Sequence, residues 1–274
     1  VEHITEEGAY LTVMTLDDRM KTYYEGAYRV YLTRRMPVII RIDSRAGHTF
    51  TKSLKKPFDV VFTATMQDTM KYLCENIQGC VIGYTQSDEI TLCLVDYDKL
   101  ETDAWFGYNL NKLVSLSASM ATLAFNKYFE RNANRTLTKM ALSSGVNKFE
   151  IDAYSATLAK CKEKGLCFDS RAFNIPKEEV CNCFLWRQLD ASRNSIQAVG
   201  QANFSHTVLN GKSTSEIQDM LMTEKGINWN DLATELKRGS CCVRDGNGWS
   251  IDREIPKFTG ECRDYIDKLV FVGE

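Results

Sequence analysis

The sequence predicts an α+β fold in which helices pack on an antiparallel sheet in a ferredoxin-like, split β-α-β order. Three observations predict it. The run Val38-Ile39-Ile40-Arg41-Ile42 is β-branched and almost continuously apolar, as expected of a central strand covered on both faces. Two short strands, Cys80 to Tyr84 and Ile90 to Val95, are split by the polar pentapeptide Thr85-Gln86-Ser87-Asp88-Glu89, which makes them a hairpin. Between and after these strands, apolar residues recur at spacings of three and four, the period of amphipathic helices.

Each element follows in order. Thr15-Leu16-Asp17-Asp18 sets a capping residue and two early acids before Met20, Tyr24 and Tyr28, opening a helix that Met36-Pro37 ends. The central strand runs into a polar turn, Asp43-Ser44-Arg45-Ala46-Gly47-His48. From Phe58, the positions Val61, Phe62, Thr65, Met66, Met70 and Leu73 form one helical face, which Gly79 closes. A second helix is predicted over 112–125, with Leu113, Leu116, Met120 and Leu123 on one side and small residues allowing close approach to a sheet. Phe168 to Phe173 supplies a fourth strand. In the second half, 184–199 and 215–222 read as helices, and Gly226 to Asp231 as a turn into another short one. No repeat, low-complexity tract or Pro/Gly linker appears. The expected organisation is a leader or extension over 1–14 and one domain over 15–274. Its sheet-bearing core covers 15–180, and a helical or irregular C-terminal part covers 181–274.

Composition narrows the function classes. A net charge of -2 gives no global positive field, so a nucleic-acid partner requires a local basic stripe. The three histidines, His3, His48 and His206, count against a multi-histidine metal cage. None of the ten cysteines forms a Cys-x-x-Cys pair, which counts against a zinc ribbon or thioredoxin-like site. Several, such as Cys93, fall in apolar runs as small buried hydrophobes of a reducing cytosol. No apolar run approaches the ~20 residues of a membrane span, and no signal-peptide pattern opens the chain. A cytoplasmic protein without a membrane partner is expected.

The chemistry concentrates on two acids. Asp43 ends the first strand and Asp88 lies in the hairpin beside Glu89. If the strands are neighbours, the carboxylates converge, and two close, partly buried carboxylates demand a cation or protons. Mg²⁺ suits such a pair, because it takes one or two protein carboxylates and completes its octahedron with water and substrate phosphate. The competing reading of each Asp is an ordinary turn residue. Arg45, Lys52, Lys55 and Lys56 follow the first acid, and Lys112 opens the second helix after Asn109 and Asn111. These lysines suit a triphosphate, although Lys55-Lys56 also reads as a solvated surface pair.

These residues carry a resemblance. Arg41-Ile42-Asp43-Ser44-Arg45-Ala46-Gly47-His48-Thr49-Phe50, Gln86-Ser87-Asp88-Glu89, Trp186-Arg187-Gln188-Leu189-Asp190 and Gly226-Ile227-Asn228-Trp229 resemble, in order, signature blocks of the tRNA-histidine guanylyltransferase family, in its "like protein" branch. The resemblance spans about Thr15 to past Lys237. It implies a polymerase-palm-like fold and 3′–5′ addition of nucleotides to the 5′ end of tRNA, with ATP or GTP as substrates, two Mg²⁺ ions and a homotetramer built as a dimer of dimers. Position by position, it implies Asp43, Asp88 and Glu89 as catalytic, and Asp43, the Ser44 carbonyl and Asp88 as metal ligands. Arg45, Gly47, His48, Lys56, Asp59, Ser87, Asn109 and Lys112 fall at nucleotide-binding positions. Arg187, Arg193, Asn194, Lys237 and Arg238 are the candidate RNA contacts.

Three positions depart from the family pattern. Ser44 stands where Gly is usual, at a cost of about 1 kcal/mol or more if that backbone needs φ > 0. Gly47 stands where Phe is usual. Asn109 stands where eukaryotic members carry an Arg. Ser192 in place of a histidine points to the "like" branch and to template-directed repair of 5′-truncated tRNA. Two other readings remain open: a palm-fold cyclase or nucleotide transferase that needs no RNA, and a tRNA-binding protein with weakened catalysis.

Overall fold

The computed structural model describes residues 14–143 and 145–273, with the backbone of His3–Ile4 and Tyr10–Leu11 besides. The leader expected over 1–14 falls almost wholly outside the described residues.

A reciprocal capping box between Thr15 and Asp18 starts α1 (Leu16–Met20), and the helical path continues to Tyr28 without burying a side chain. Then come β1 (Val38–Ser44), α2 (Gly47–Thr51) and α3 (Val60–Asn76). The hairpin β2 (Cys80–Gln86) and β3 (Glu89–Leu94) leads to α4 (Leu110–Leu142), α5 (Lys148–Lys164) and β4 (Phe168–Asn174). The remainder is α6 (Lys177–Asn203), α7 (His206–Leu209), α8 (Thr214–Lys225), α9 (Thr234–Arg238), the hairpin β5 (Ser240–Asp245) and β6 (Gly248–Asp252), and α10 (Asp264–Val270).

The sheet has six strands in the order β4-β1-β3-β2-β5-β6, every neighbour antiparallel. Its first four strands are the split β-α-β order that the sequence predicts. β1 is buried on both faces, which is why its apolar run is continuous rather than alternating. Val38, Ile40 and Ile42 pack with Met66, Met70 and Leu73 of α3 and Phe125 and Phe129 of α4. On the opposite face, Ile39 joins Tyr84, Cys93, Val180 and Phe184, with Ile266 and Val270 of α10. Most cysteines are free and buried, as expected of small hydrophobes. No helix among the described residues is long and apolar enough to cross a membrane.

Several expectations change. α4 runs for 33 residues rather than stopping at Phe125, because Phe129, Asn132 and Ala133 keep one side buried where the rest turns polar. α5 is an element that the expected order lacks, although Tyr154, Leu158 and Cys161 line its buried side at helical spacing and Asn147 caps it. The part from 181 onward is not merely helical or irregular. Its hairpin β5–β6 adds two strands to the β2 edge of the same sheet. β6 is half-buried throughout, so its apolar signal in the sequence is faint.

Candidate active site

The register pairs Gln86 with Glu89, leaving Ser87-Asp88 as a two-residue turn. Ser87 takes φ 53°, the left-handed conformation that matches such turns to strand twist. Asp43 lies opposite Glu89 on β3 and opposite Asp169 on β4. The Ser44 N–H donates to the Asp88 carbonyl at 3.2 Å, tying the strand end to the turn, so the two acids meet at one end of the sheet. Two hydroxyls hold the Asp88 carboxylate: Ser44 Oγ donates to Oδ2 at 2.5 Å and Ser87 Oγ to Oδ1 at 3.0 Å. Burial first, then the charges of Asp88 and Asp169, hold the Asp43 carboxyl above its ordinary range. The family pattern did not flag Asp169; only the strand register brings it here.

Among the described residues, no group of three or more His, Cys, Asp or Glu side chains gathers as a metal cage. A raised Asp43 beside an oriented Asp88 is a donor set for a hard cation completed by carbonyl, water and phosphate oxygens, which fits Mg²⁺ and not a zinc-type cage.

Ser44 and Gly47 are coupled. Ser44 belongs to β1, and the left-handed residues nearby are Ala46 (φ 61°) and Ser87, so the strain considered for Ser44 does not arise. A Cβ at Gly47 would lie 1.9 Å from Asp88 Oδ2 and 2.2 Å from Ser44 Oγ. The serine hydroxyl and the Asp88 carboxylate occupy the space that a side chain at 47 needs.

The predicted nucleotide-binding residues divide between two cavities. The first, about 180 Å³, has Lys56, Asp59, Ser87, Asn194 and Glu235 in its lining, with Leu54, Phe62 and Met66 as its apolar part. Lys56 Nζ donates to the Thr51 carbonyl at 3.0 Å. Asp59 is turned inward: it caps α3 through Val61 and Phe62 (2.9 and 3.1 Å), accepts from the Lys55 N–H (3.0 Å) and from Tyr154 Oη (2.9 Å). Its carboxylate holds the loop rather than facing the cavity. The second cavity, about 400 Å³, is lined by Asn109, Asn111 and Lys112 together with Arg29, Tyr31 and Phe106. Asn109 caps α4 by accepting from the Lys112 N–H at 3.1 Å. Lys112 Nζ stands 5.1 Å from the Phe106 ring centre. Arg29, a cation that the sequence alone did not single out, lies here ion-paired at 2.8 Å to Glu25, which also lines this cavity. Arg45 and His48 are exposed beside the acids.

Glu89 does not turn toward Asp88. It binds the Arg187 guanidinium through both oxygens, at 2.9 and 3.2 Å, and burial raises its pKa against the pull of Arg187 and Arg41. Arg187 is 9% exposed and also pairs with Asp190 at 3.5 Å, so this residue locks α6 onto β3 and offers no free face to RNA. Arg193 is exposed and bonded to Asp190. Lys237 donates to the Asn230 carbonyl, and the Arg238 carbonyl accepts from Tyr84 Oη at 2.8 Å.

The family model described as Thg1, tRNAHis guanylyltransferase, matches residues 17–176, which include both acids and the cavity-lining Lys55, Lys56 and Lys112. The chain belongs to the tRNAHis guanylyltransferase family. Its members are nucleotidyltransferases, and the α+β fold here matches theirs. A bacterial Thg1-like protein solved in complex with ATP is 42% identical, with a TM-score of 0.80, covering 94% of this chain and 100% of that one. One solved in complex with GTP is 39% identical, with a TM-score of 0.73, over 94% and 99%. The tRNA(His) guanylyltransferase of Schizosaccharomyces pombe is 26% identical across 81% of this chain and 78% of its own.

Proposed function

We propose that the protein is a template-directed 3′–5′ nucleotidyltransferase that repairs 5′-truncated tRNA, using nucleoside triphosphates and Mg²⁺. One observation carries this reading: Asp43 and Asp88 are brought together at the end of the sheet, with Asp88 oriented by Ser44 and Ser87. In the reaction, a 5′ end carrying a triphosphate, or activated by ATP or GTP, is attacked by the 3′-hydroxyl of an incoming nucleotide. Pyrophosphate or the activating nucleoside monophosphate leaves.

Asp43, Asp88 and the Ser44 carbonyl would hold Mg²⁺. When bound, the cation supplies activation of the attacking oxygen and charge neutralisation on the leaving group. The chain's own residues do the rest. Lys56 stands at the rim of a cavity whose apolar wall suits a nucleobase, and Lys112, with Arg29, supplies point charges for phosphates in the other cavity. Two cavities suit a reaction that needs two nucleotides, and the solved relatives bound to ATP and to GTP support both as substrates. Glu89 acts through Arg187 and Asp43's neighbourhood rather than on Asp88. A homotetramer belongs to the same reading, supported by the unpacked aromatic surface of the α1 segment at Tyr23, Tyr24 and Tyr28.

The test is incubation with Mg²⁺, nucleoside triphosphates and a tRNA lacking its first 5′ nucleotide. Addition complementary to the opposing 3′-side base is expected. Cyclic or dinucleotide product without RNA would contradict the reading, as would binding without turnover.

A further inference from the structure

The buried side of α4 recurs every four residues: Leu113, Ser117, Ala121, Phe125, Phe129 and Ala133. A step of four advances an α-helix by about 6 Å and turns it about 40° past a full circle. The row displaced by two residues, about 200° around, therefore stays opposite the core along the whole helix. Every residue of that row is exposed. It opens with the small polar Asn111, Ser115 and Ser119, passes Leu123, and ends in four cations, Lys127, Arg131, Arg135 and Lys139.

An ordinary solvated helix face interleaves acids with bases, because like charges four apart repel and destabilise the helix. This row contains no acid, in a chain whose net charge is -2. Arg131 pairs with Asp68 at 2.8 Å and lies over the Tyr128 ring. Lys127, Arg135 and Lys139 make no ion pair among the described residues, and Glu130, the acid within this half of the helix, is bridged to Lys162.

The stripe also has a fixed relation to the candidate site. Asn111 and Lys112, at the start of α4, line the second cavity. The cations begin about 24 Å and end about 42 Å further along the axis, at ~1.5 Å per residue. We propose that this stripe is a phosphate-binding surface for the double-stranded body of the RNA whose 5′ end reaches the two acids. A polyanion with regularly spaced charges is the partner that an acid-free row of cations fits, and the small residues between stripe and cavity leave room for its backbone. The inference rests on the tRNA reading above and adds the surface that holds the RNA. It places the RNA contact on α4, whereas the candidates drawn from the second half include the buried Arg187.

The experiment uses the full chain with Lys127→Ala, Arg135→Ala and Lys139→Ala combined, Arg131 being left in place because it pairs with Asp68. Binding of a full-length tRNA transcript is measured across a salt series, beside a hairpin whose stem is shorter than one helical turn. The expected result is a loss of about tenfold or more in tRNA affinity and a salt slope lower by about 2 to 3, one phosphate contact per removed cation. Melting temperature and affinity for the short hairpin stay unchanged, and the charge-retaining combination Lys127→Arg, Arg135→Lys and Lys139→Arg restores binding. Unchanged tRNA affinity and slope in a wild-type background that extends tRNA would overturn the stripe alone. Salt-dependent binding through the stripe without extension would overturn the repair reading and keep the stripe. Wild-type protein that binds no tRNA would overturn both. Competition by polyglutamate equal to that by RNA would assign the surface to an acidic protein instead.

Discussion

Asp43 is half-buried, and its burial, with the charges of Asp88 and Asp169, favours its protonated form. A carboxyl whose folded pKa lies above its unfolded value contributes stability below the ordinary carboxylate range, and that contribution is lost as pH rises through the raised value. Asp43→Asn is therefore expected to raise the melting temperature at neutral pH without divalent cation, and the gain should vanish below about pH 4. Mg²⁺ should raise the melting temperature of the wild type and not of the variant. A variant less stable than wild type at neutral pH, in melting curves recorded across the pH range, would contradict this account of the site. Gly47 is constrained just as tightly, since a Cβ there would lie 1.9 Å from Asp88 Oδ2. Gly47→Ala should displace the carboxylate and cost on the order of 10²-fold in kcat/KM, the scale of an ångström-level misplacement. Far-ultraviolet circular dichroism should stay unchanged, and kinetics within a few-fold of wild type would show that the space is not needed.

The elements around these residues show how the site is braced. α5 carries Tyr154, whose hydroxyl donates to Asp59, and Asp59 in turn fixes the Lys55 N–H and the start of α3. Tyr154→Phe removes one hydrogen bond to a charged group, worth about 1.5–3 kcal/mol. It should loosen the Lys55–Lys56 loop, raising KM for nucleotide with little change in kcat. A fall in kcat at constant KM would place Tyr154 in the chemistry instead. The sequence made the first four strands legible because β1 is covered on both faces and β2–β3 is a tight hairpin, both of which leave strong local patterns. α5 left a local pattern too, but a thin one, with only Tyr154, Leu158 and Cys161 buried along its 17 residues. β5–β6 left almost none, since half-buried strands carry little apolar contrast. Asp43 and Asp88 were legible as acids at strand ends. Their partners were not, because Asp169, the Ser44–Gly47 complementarity and the inward turn of Asp59 and Arg187 depend on register and burial.

At the scale of the whole molecule, the sheet fixes the acids, the loop before α3 and the start of α4 carry the cavity lysines, and the C-terminal part lines the first cavity with Glu235 while extending the sheet. Family membership makes the chain a nucleotidyltransferase, and the acid pair is the site we propose for that activity. The direct measurement is the extension of a tRNA lacking its first 5′ nucleotide, with both ends of the product sequenced, for wild type, Asp43→Asn and Asp88→Asn. Wild type should add the templated nucleotide at the 5′ end, and each variant should lose about 10²–10³-fold in rate, the scale of removing a charge-stabilising group, while still binding tRNA. Growth at the 3′ end, or near-wild-type rates in both variants, would contradict the account.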